Sequence, residues 1–337
     1  MNESKGIKEL IKALEGLKDN KKLYIQTHNF PDPDAIACAF GLGSLLKSFG
    51  IKSTLCSVGQ IDRISAARMI SSFGIELFEY DDIKDNMSED DYIICVDSQK
   101  NAGNITDLKG DEIACIDHHP TFKQVEYKYK DVRIVGACST LIAQYFFDAK
   151  ITPSSDVATA LLYGMKMDTM QFSRGVTPLD IEMFGFLMPL CDAKKLKTLE
   201  TNSIEFNDLK AYGAAIENIH LLGTNGFAQI PFACPDGLIG AISDFILALE
   251  EVDVAVVYSI RDGGIKLSVR SERDDVDAGE LARSSLKGLG NGGGHATMAG
   301  GFVPISNIPV HLGTDFDSLI EERFMSTILR MKQAASL

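Results

Sequence analysis

The chain has 337 residues, enough for two domains, and its 45% hydrophobic content can fill a sizeable core. A formal net charge of −14 excludes broad electrostatic capture of duplex DNA or of an anionic membrane by a basic face, while leaving room for a local basic pocket or for metals that bind phosphate. Seven scattered cysteines with no C-x-x-C pair indicate a reducing, cytoplasmic setting, and Cys38, Cys56, Cys95, Cys115 and Cys138 lie in apolar surroundings as small core residues.

The first predicted element is an amphipathic helix over 4–18, with Ile7, Leu10, Ile11, Leu14 and Leu17 at helical spacing; its charge sets it apart from a signal peptide. KLYIQTH (22–28) reads as a strand, 34–49 as a helix stopped by Gly50, and IKSTLCSV (51–58) as the next strand. A helix over 63–74 and a strand at IELFEY (75–80) follow. DYIICVDS (91–98), EIACIDHH (112–119) and DVRIVGA (131–137) are apolar runs read as strands, the first two ending in acid or histidine. Helices follow at 139–149, 157–169 and 178–190. Strand alternating with helix predicts a mainly parallel sheet. Residues 192–218 are charged and helical. Beyond them, strands at GFAQIPFA, VDVAVVYSI and GIKLSVRSE, helices at 236–250 and 277–288, and glycines at 288–294 predict a second unit. The fold class is thus α/β: an N-terminal mainly parallel-sheet domain plus a smaller C-terminal α+β domain. The expected bounds are 1–190, a helical linker over 191–215, and 216–337. No uninterrupted apolar run reaches membrane-spanning length.

Three strand ends carry the chemistry. His28, Asp32 and Asp34 leave the first strand, Asp97 a later one, and Asp117, His118 and His119 the next; Asp168 stands in GMKMDT. Ligands of an open α/β sheet bind outside the carboxyl ends of its strands. Taken singly, each acid reads as a helix cap or an Asx-turn. Together, imidazole and carboxylate suit a transition metal such as manganese, and this inventory can serve two ions. Two divalent ions lower the pKa of water, stabilise charge on an attacked phosphoryl group and invert the field of the local acids.

HNFPDPD (28–34), VDS (96–98), IDHHP (116–120) and MDTMQF (167–172), in this order, resemble the four motifs of the DHH phosphoesterases. GNGGGHATMAGGF (290–302), preceded by KLSVRS (266–271), resembles the DHH-associated domain that often follows them, and the two-domain layout is similar to the nanoRNase and pAp phosphatase branch. The resemblance implies two divalent metal ions, manganese first, with magnesium or cobalt as alternatives. It implies that His28 and Asp32 hold one ion, that Asp34, His118 and Asp168 hold the other, and that Asp97 bridges them. Asp117 becomes an acid that orients a histidine, and His119 a phosphate contact or an aid to the leaving group. Asp97, Asp117 and His119 are therefore the catalytic candidates.

Substrate candidates are Gly292, Gly293 and Gly294, whose amides can approach an anion, His295 at their end, and Arg270 with Ser271 in SVRS. A flexible glycine loop and a solvated Arg270 are the bland alternatives. Arg174 raises the same pair of readings, and Phe172 either stacks a base or packs in the core. His220 and His311 have no partner motif and read as structural or surface residues. Two departures from the family pattern bear on the substrate pocket: Ala37 and Cys38 replace the usual Gly-Ser, and Lys166 and Met167 add charge and bulk before Asp168.

The expected activity is metal-dependent hydrolysis of short oligoribonucleotides, dinucleotides or nucleoside 3′,5′-bisphosphates. The alternatives are a phosphoanhydride hydrolase of the pyrophosphatase or exopolyphosphatase kind, and a nucleotide-binding protein without turnover. Expected partners are short oligonucleotides or nucleotides, with neither duplex DNA nor a membrane; a homodimer is left open.

Overall fold

The computed structural model describes residues 6–15, 21–61, 64–121, 123–201, 204–308 and 316–335, with side chains described to residue 333. They form two units divided between residues 203 and 204. His311 lies outside the described residues.

In the first unit, helix α1 (Gly6–Glu15) leads into β1 (Leu23–Gln26), α2 (Pro33–Ser48), β2 (Thr54–Ser57), α3 (Ile64–Phe73), β3 (Leu77–Glu79) and the short α4 (Tyr80–Ile83). Then come β4 (Tyr92–Val96), β5 (Asp111–Asp117), β6 (Tyr129–Val132), α5 (Cys138–Ala149), α6 (Ser155–Asp168), α7 (Pro178–Leu187) and α8 (Ala193–Glu200). The strands form one sheet in the order β3-β2-β1-β4-β5-β6, and every pairing is parallel. Period-two alternation explains why these runs became strands. Leu23 and Ile25 of β1, with Ile94 and Val96 of β4, pack into the core under α2, α5 and α6, whereas Tyr24, Ile93 and Cys95 fill a smaller cluster on the other face. Both faces are covered, as a parallel sheet requires. Each fully buried Leu or Ile contributes about 1.5–3 kcal/mol. Cys38, Cys56, Cys95, Cys115 and Cys138 are all buried free thiols.

The second unit runs α9 (Leu209–Glu217), β7 (Ile219–Leu222), β8 (Asn225–Ile230), α10 (Asp236–Leu247), β9 (Val254–Arg261), β10 (Gly264–Ser271), α11 (Ala278–Ser285), β11 (Asn291–Gly294), β12 (Met298–Pro304) and α12 (Phe316–Ala335). Its mixed sheet has the order β11-β12-β10-β9-β8-β7, with only β8 and β9 parallel. Val254, Val256 and Tyr258 face one core and Ala255 and Val257 the other. Among the described residues no helix is long and apolar enough to cross a membrane.

Two segments depart from the sequence reading. The run 131–137 is not one strand: β6 ends at Val132, opposite Asp117, where its partner β5 also ends, and 133–137 leaves the sheet. The flexible loop weighed as the bland alternative for the glycines is not found either. Asn291–Gly294 is an edge strand paired with β12, with Gly292 opposite Gly301. A Cβ on Gly292 would lie 2.6 Å from the Ala282 carbonyl oxygen, so glycine is what lets α11 pack against this edge.

Candidate metal centre

The sheet order reverses between β1 and β4, and the crevice beyond that point is where the acids and histidines gather. Asp32 is the N-cap of α2: its Oδ1 accepts from the amides of Asp34 (3.0 Å) and Ala35 (3.2 Å), and Pro33 stands in the first turn. The capping reading and the ligand reading therefore fall on the same side chain. Asp34, buried in that first turn, accepts from the amides of Cys138 (2.7 Å) and Ser139 (3.0 Å) at the start of α5. Asp97 follows β4 in the left-handed region, φ 57°, which Asp tolerates better than most residues.

The imidazoles are aimed by carbonyls. His28 Nδ1 lies 2.9 Å from its neighbour Asn29's carbonyl oxygen, and His118 Nδ1 lies 3.0 Å from that of Val135. A carbonyl only accepts, so each Nδ1 carries a hydrogen and each Nε2 faces the acids. His28 Nε2 is 3.8 Å from Asp32 Oδ1 and 3.7 Å from Asp97 Oδ2. His118 Nε2 is 3.3 Å from both Asp97 Oδ1 and Asp168 Oδ2. His119, one residue on, turns away: its Nδ1 lies 2.8 Å from Asp117 Oδ1, and its side chain is 34% exposed.

Three sets of side chains have ligand atoms within 4.8 Å of one another: His28 with Asp32 and Asp97, Asp34 with His118 and Asp168, and Asp97 with His118 and His119. Asp97 thus stands in two of the sets. Among the described residues, Asp97 Oδ1 and His118 Nε2 are buried atoms with no hydrogen-bond partner. Orphaned buried polar atoms are costly, and two of them converging within an imidazole–carboxylate set fit the donor chemistry of a divalent cation. The donor set can hold divalent metal ions.

The ionisation of the site agrees. Burial pushes the Asp34 carboxyl well up, helped by the charges of Asp97 and Asp168. Burial, with the charges of Asp32 and Asp97, also raises Asp168 to about 6 against the pull of His118. Burial alone would lower His118, but the close contact and charge of Asp97, with the charges of Asp34 and Asp168, hold it up to about 11. His28 is held up to about 9, its burial outweighed by Asp32 and then Asp97.

Asp117 belongs to none of the three sets. Its Oδ1 also accepts from the His118 amide at 2.9 Å, and its Oδ2 accepts from Gln99 Nε2 at 2.7 Å. Burial works to raise Asp117, but the His119 bond and charge and the Gln99 bond bring it below the usual carboxylate range. Gln99 escaped the sequence reading, although it follows VDS by a single residue; a neutral amide carries no motif signal.

Near Asp168, Arg174 Nη2 donates to the Asp168 carbonyl at 2.8 Å, and Phe172 packs edge-on to Phe184 at 5.0 Å, half-buried against the core. Lys166 does not add a lone charge before Asp168, because it pairs with Glu200 of α8. Ala37 and Cys38 are wholly buried.

The remaining candidates lie in the second unit. Arg270 Nε donates to Asp244 Oδ1 at 2.5 Å, and its Nη1 donates to Ser268 Oγ and the Val269 carbonyl. Ser271 is buried and its Oγ accepts from the Arg273 amide. His295 is exposed, its amide donating to the Met298 carbonyl at 2.7 Å. His220 is a surface residue 3.8 Å from Glu321.

Residues 22–165 match the DHH family, N-terminal domain, and residues 223–321 match the DHHA1 domain. The chain belongs to the DHH family. An uncharacterised protein of Methanocaldococcus jannaschii is 30% identical over 94% of this DHH chain, which spans 66% of that protein's length. The bifunctional oligoribonuclease and PAP phosphatase NrnA of Thermus thermophilus is 25% identical over 87% of this chain and 86% of its own. The structure of an exopolyphosphatase-related protein from Bacteroides fragilis shares the DHH fold, with a TM-score of 0.76 at 18% identity, covering 96% of this chain and 97% of the other.

Proposed function

We propose that this DHH protein is a metal-dependent phosphoesterase that hydrolyses short oligoribonucleotides, dinucleotides or nucleoside 3′,5′-bisphosphates. The observation that carries the reading is Asp97, which belongs to the His28–Asp32 set and to a His118 set, with a buried oxygen that has no hydrogen-bond partner among the described residues. In this reading His28 and Asp32 would hold one divalent ion, manganese by preference, Asp34, His118 and Asp168 would hold a second, and Asp97 would serve both. Bound there, the ions supply a nucleophile at neutral pH and offset charge on a phosphoryl group.

The chain's own residues do the rest. Asp34, Asp97 and Asp168 supply the negative charge that two divalent ions require. The Asn29 and Val135 carbonyls fix which imidazole nitrogen faces the site. Burial would lower His119, but the bond to Asp117 and the charge of Asp97 raise it above an ordinary imidazole. That direction favours its protonated form, the form that can donate to a phosphate or a leaving oxygen. Arg174 and Phe172 are the proposed substrate contacts of the first unit, and Arg270, Ser271, Gly292 to Gly294 and His295 are those of the second. Support for a nucleotide substrate comes from the Thermus relative, matched across both domains.

A manganese-supplemented panel of pApA, cyclic dinucleotides, short RNAs, pAp and pyrophosphate tests the proposal. Turnover of a dinucleotide, a short RNA or the bisphosphate, without turnover of pyrophosphate, is the expected result. Hydrolysis of pyrophosphate alone would replace the reading with phosphoanhydride chemistry, and tight nucleotide binding without turnover would replace it with a binding protein.

A further inference from the structure

A buried acid outside the metal sets holds the segment that aims two of their members. Asp180, in the first turn of α7, has no solvent exposure. Its Oδ1 and Oδ2 accept from the Gly136 amide at 3.1 and 2.9 Å, and Oδ1 also accepts from Thr140 Oγ1. Its Oδ2 accepts from the Thr177 amide (2.7 Å) and the Thr177 hydroxyl (2.6 Å). The Thr177 amide bond is half of a helix capping box, and the hydroxyl bond adds a local side-chain tie. The Gly136 and Thr140 bonds are not local, because they reach 44 and 40 residues back, to the stretch that has just left the sheet after β6.

That stretch carries three groups with one target. The Val135 carbonyl fixes His118 Nδ1, and the Cys138 and Ser139 amides fix the two oxygens of Asp34. His118 and Asp34 both belong to the set that includes Asp168. Gly136, between those groups, lies so close that a Cβ there would stand 2.7 Å from Thr169 Cγ2 and 2.9 Å from Asp180 Cγ, and Thr169 adjoins Asp168. We infer that Asp180 is a positioning residue for the Asp34–His118–Asp168 set: it clamps residues 136–140 and thereby holds His118 and Asp34 at one metal position, leaving the His28–Asp32 position untouched. A buried carboxylate with several donors is a rigid anchor, and partners behind metal ligands commonly set affinity.

The inference rests on the proposed two-metal site, and the test separates the two. Calorimetric titration of wild type with Mn2+ comes first; a wild type that takes up no Mn2+ overturns the reading and the inference together. Given two sites in wild type, Asp180→Asn is expected to weaken one of them by about 10- to 100-fold and to leave the other within about twofold. Thr140→Val, which removes one bond of the clamp, is expected to weaken the same site to a smaller degree, and it decides the matter if Asp180→Asn does not fold. Folded variants with both affinities at wild-type values, or with both sites weakened equally, overturn the inference and leave the two-metal reading standing.

Discussion

His118 Nε2 stands 3.3 Å from Asp97 Oδ1, and among the described residues neither buried atom has a hydrogen-bond partner. A folded protein tolerates such a pair where something else completes it. Asp97 also faces His28 at 3.7 Å, so its loss would open both positions at once. Asp97→Ala is expected to lower manganese-dependent turnover by about a thousandfold, equivalent to about 4 kcal/mol of barrier. Unchanged turnover in steady-state assays would sink the assignment.

Metal removal should be visible without any substrate. Ions that bind the folded state alone stabilise it by mass action, about 2.7 kcal/mol per site at a hundredfold excess over Kd. Mn2+ is expected to raise the Tm of chelator-treated wild type by several degrees in a thermal melt. For Asp97→Ala the shift should largely vanish. An equal shift in both proteins would mean that Mn2+ binds elsewhere.

Metal uptake should also depend on pH, with a defined sign. Neighbouring carboxylates hold His28 up to about 9 and His118 up to about 11, so at pH 7 both are protonated in the metal-free protein. A metal takes the unprotonated imidazole, so binding expels these protons. Apparent affinity therefore rises as pH rises from 6 toward 9, and falls as acid restores the competing protons. Calorimetry in two buffers of different ionisation enthalpy should show net proton release on binding; none would contradict the assignment of these histidines as ligands.

Gln99 provides a test one layer out. It donates to Asp117 at 2.7 Å and to the His119 carbonyl at 3.1 Å while its own oxygen accepts from Thr121. Gln99→Leu leaves Asp117 short of a donor and loosens its hold on His119. Expected are a stability loss of about 1–3 kcal/mol and a drop of about tenfold in kcat, with Mn2+ affinity little changed. A fall in metal affinity equal to that in kcat would move Gln99's role onto the metals instead.

These contacts show which parts of the site were legible from sequence. Parallel strands deliver their last polar residues to one edge, so His28, Asp32, Asp97 and His118 could be gathered from apolar runs ending in acid or histidine. The supporting groups had no such signature. The Val135 carbonyl and the Cys138 and Ser139 amides belong to the backbone, which any side chain carries, and Gly136 meets Asp180 only after 44 residues of chain have folded back. Ile134 and Val135 look like strand in sequence, but the β5–β6 register ends at the Asp117–Val132 pair. The edge strand Asn291–Gly294 carries no strand signal in sequence, because glycine has low strand propensity; the close approach of α11 is what uses the glycines there.

Arg270 poses the sharpest remaining choice between structure and substrate. Its Nε is committed to Asp244 and its Nη1 to Ser268 and the Val269 carbonyl, which ties β10 to α10 within the second unit. A purely structural tie predicts that removing either partner has the same consequence. Asp244→Ala and Arg270→Ala should then lower Tm alike and leave KM alone. The proposed phosphate grip predicts a split. Arg270→Ala should raise KM by about 10- to 100-fold, in keeping with the roughly 1.5–3 kcal/mol typical of a charged hydrogen bond, with kcat little changed, because uniform binding is what is lost. Asp244→Ala, which keeps the guanidinium, should cost stability but move KM by less than about twofold. Equal KM values for the two variants would return Arg270 to the scaffold.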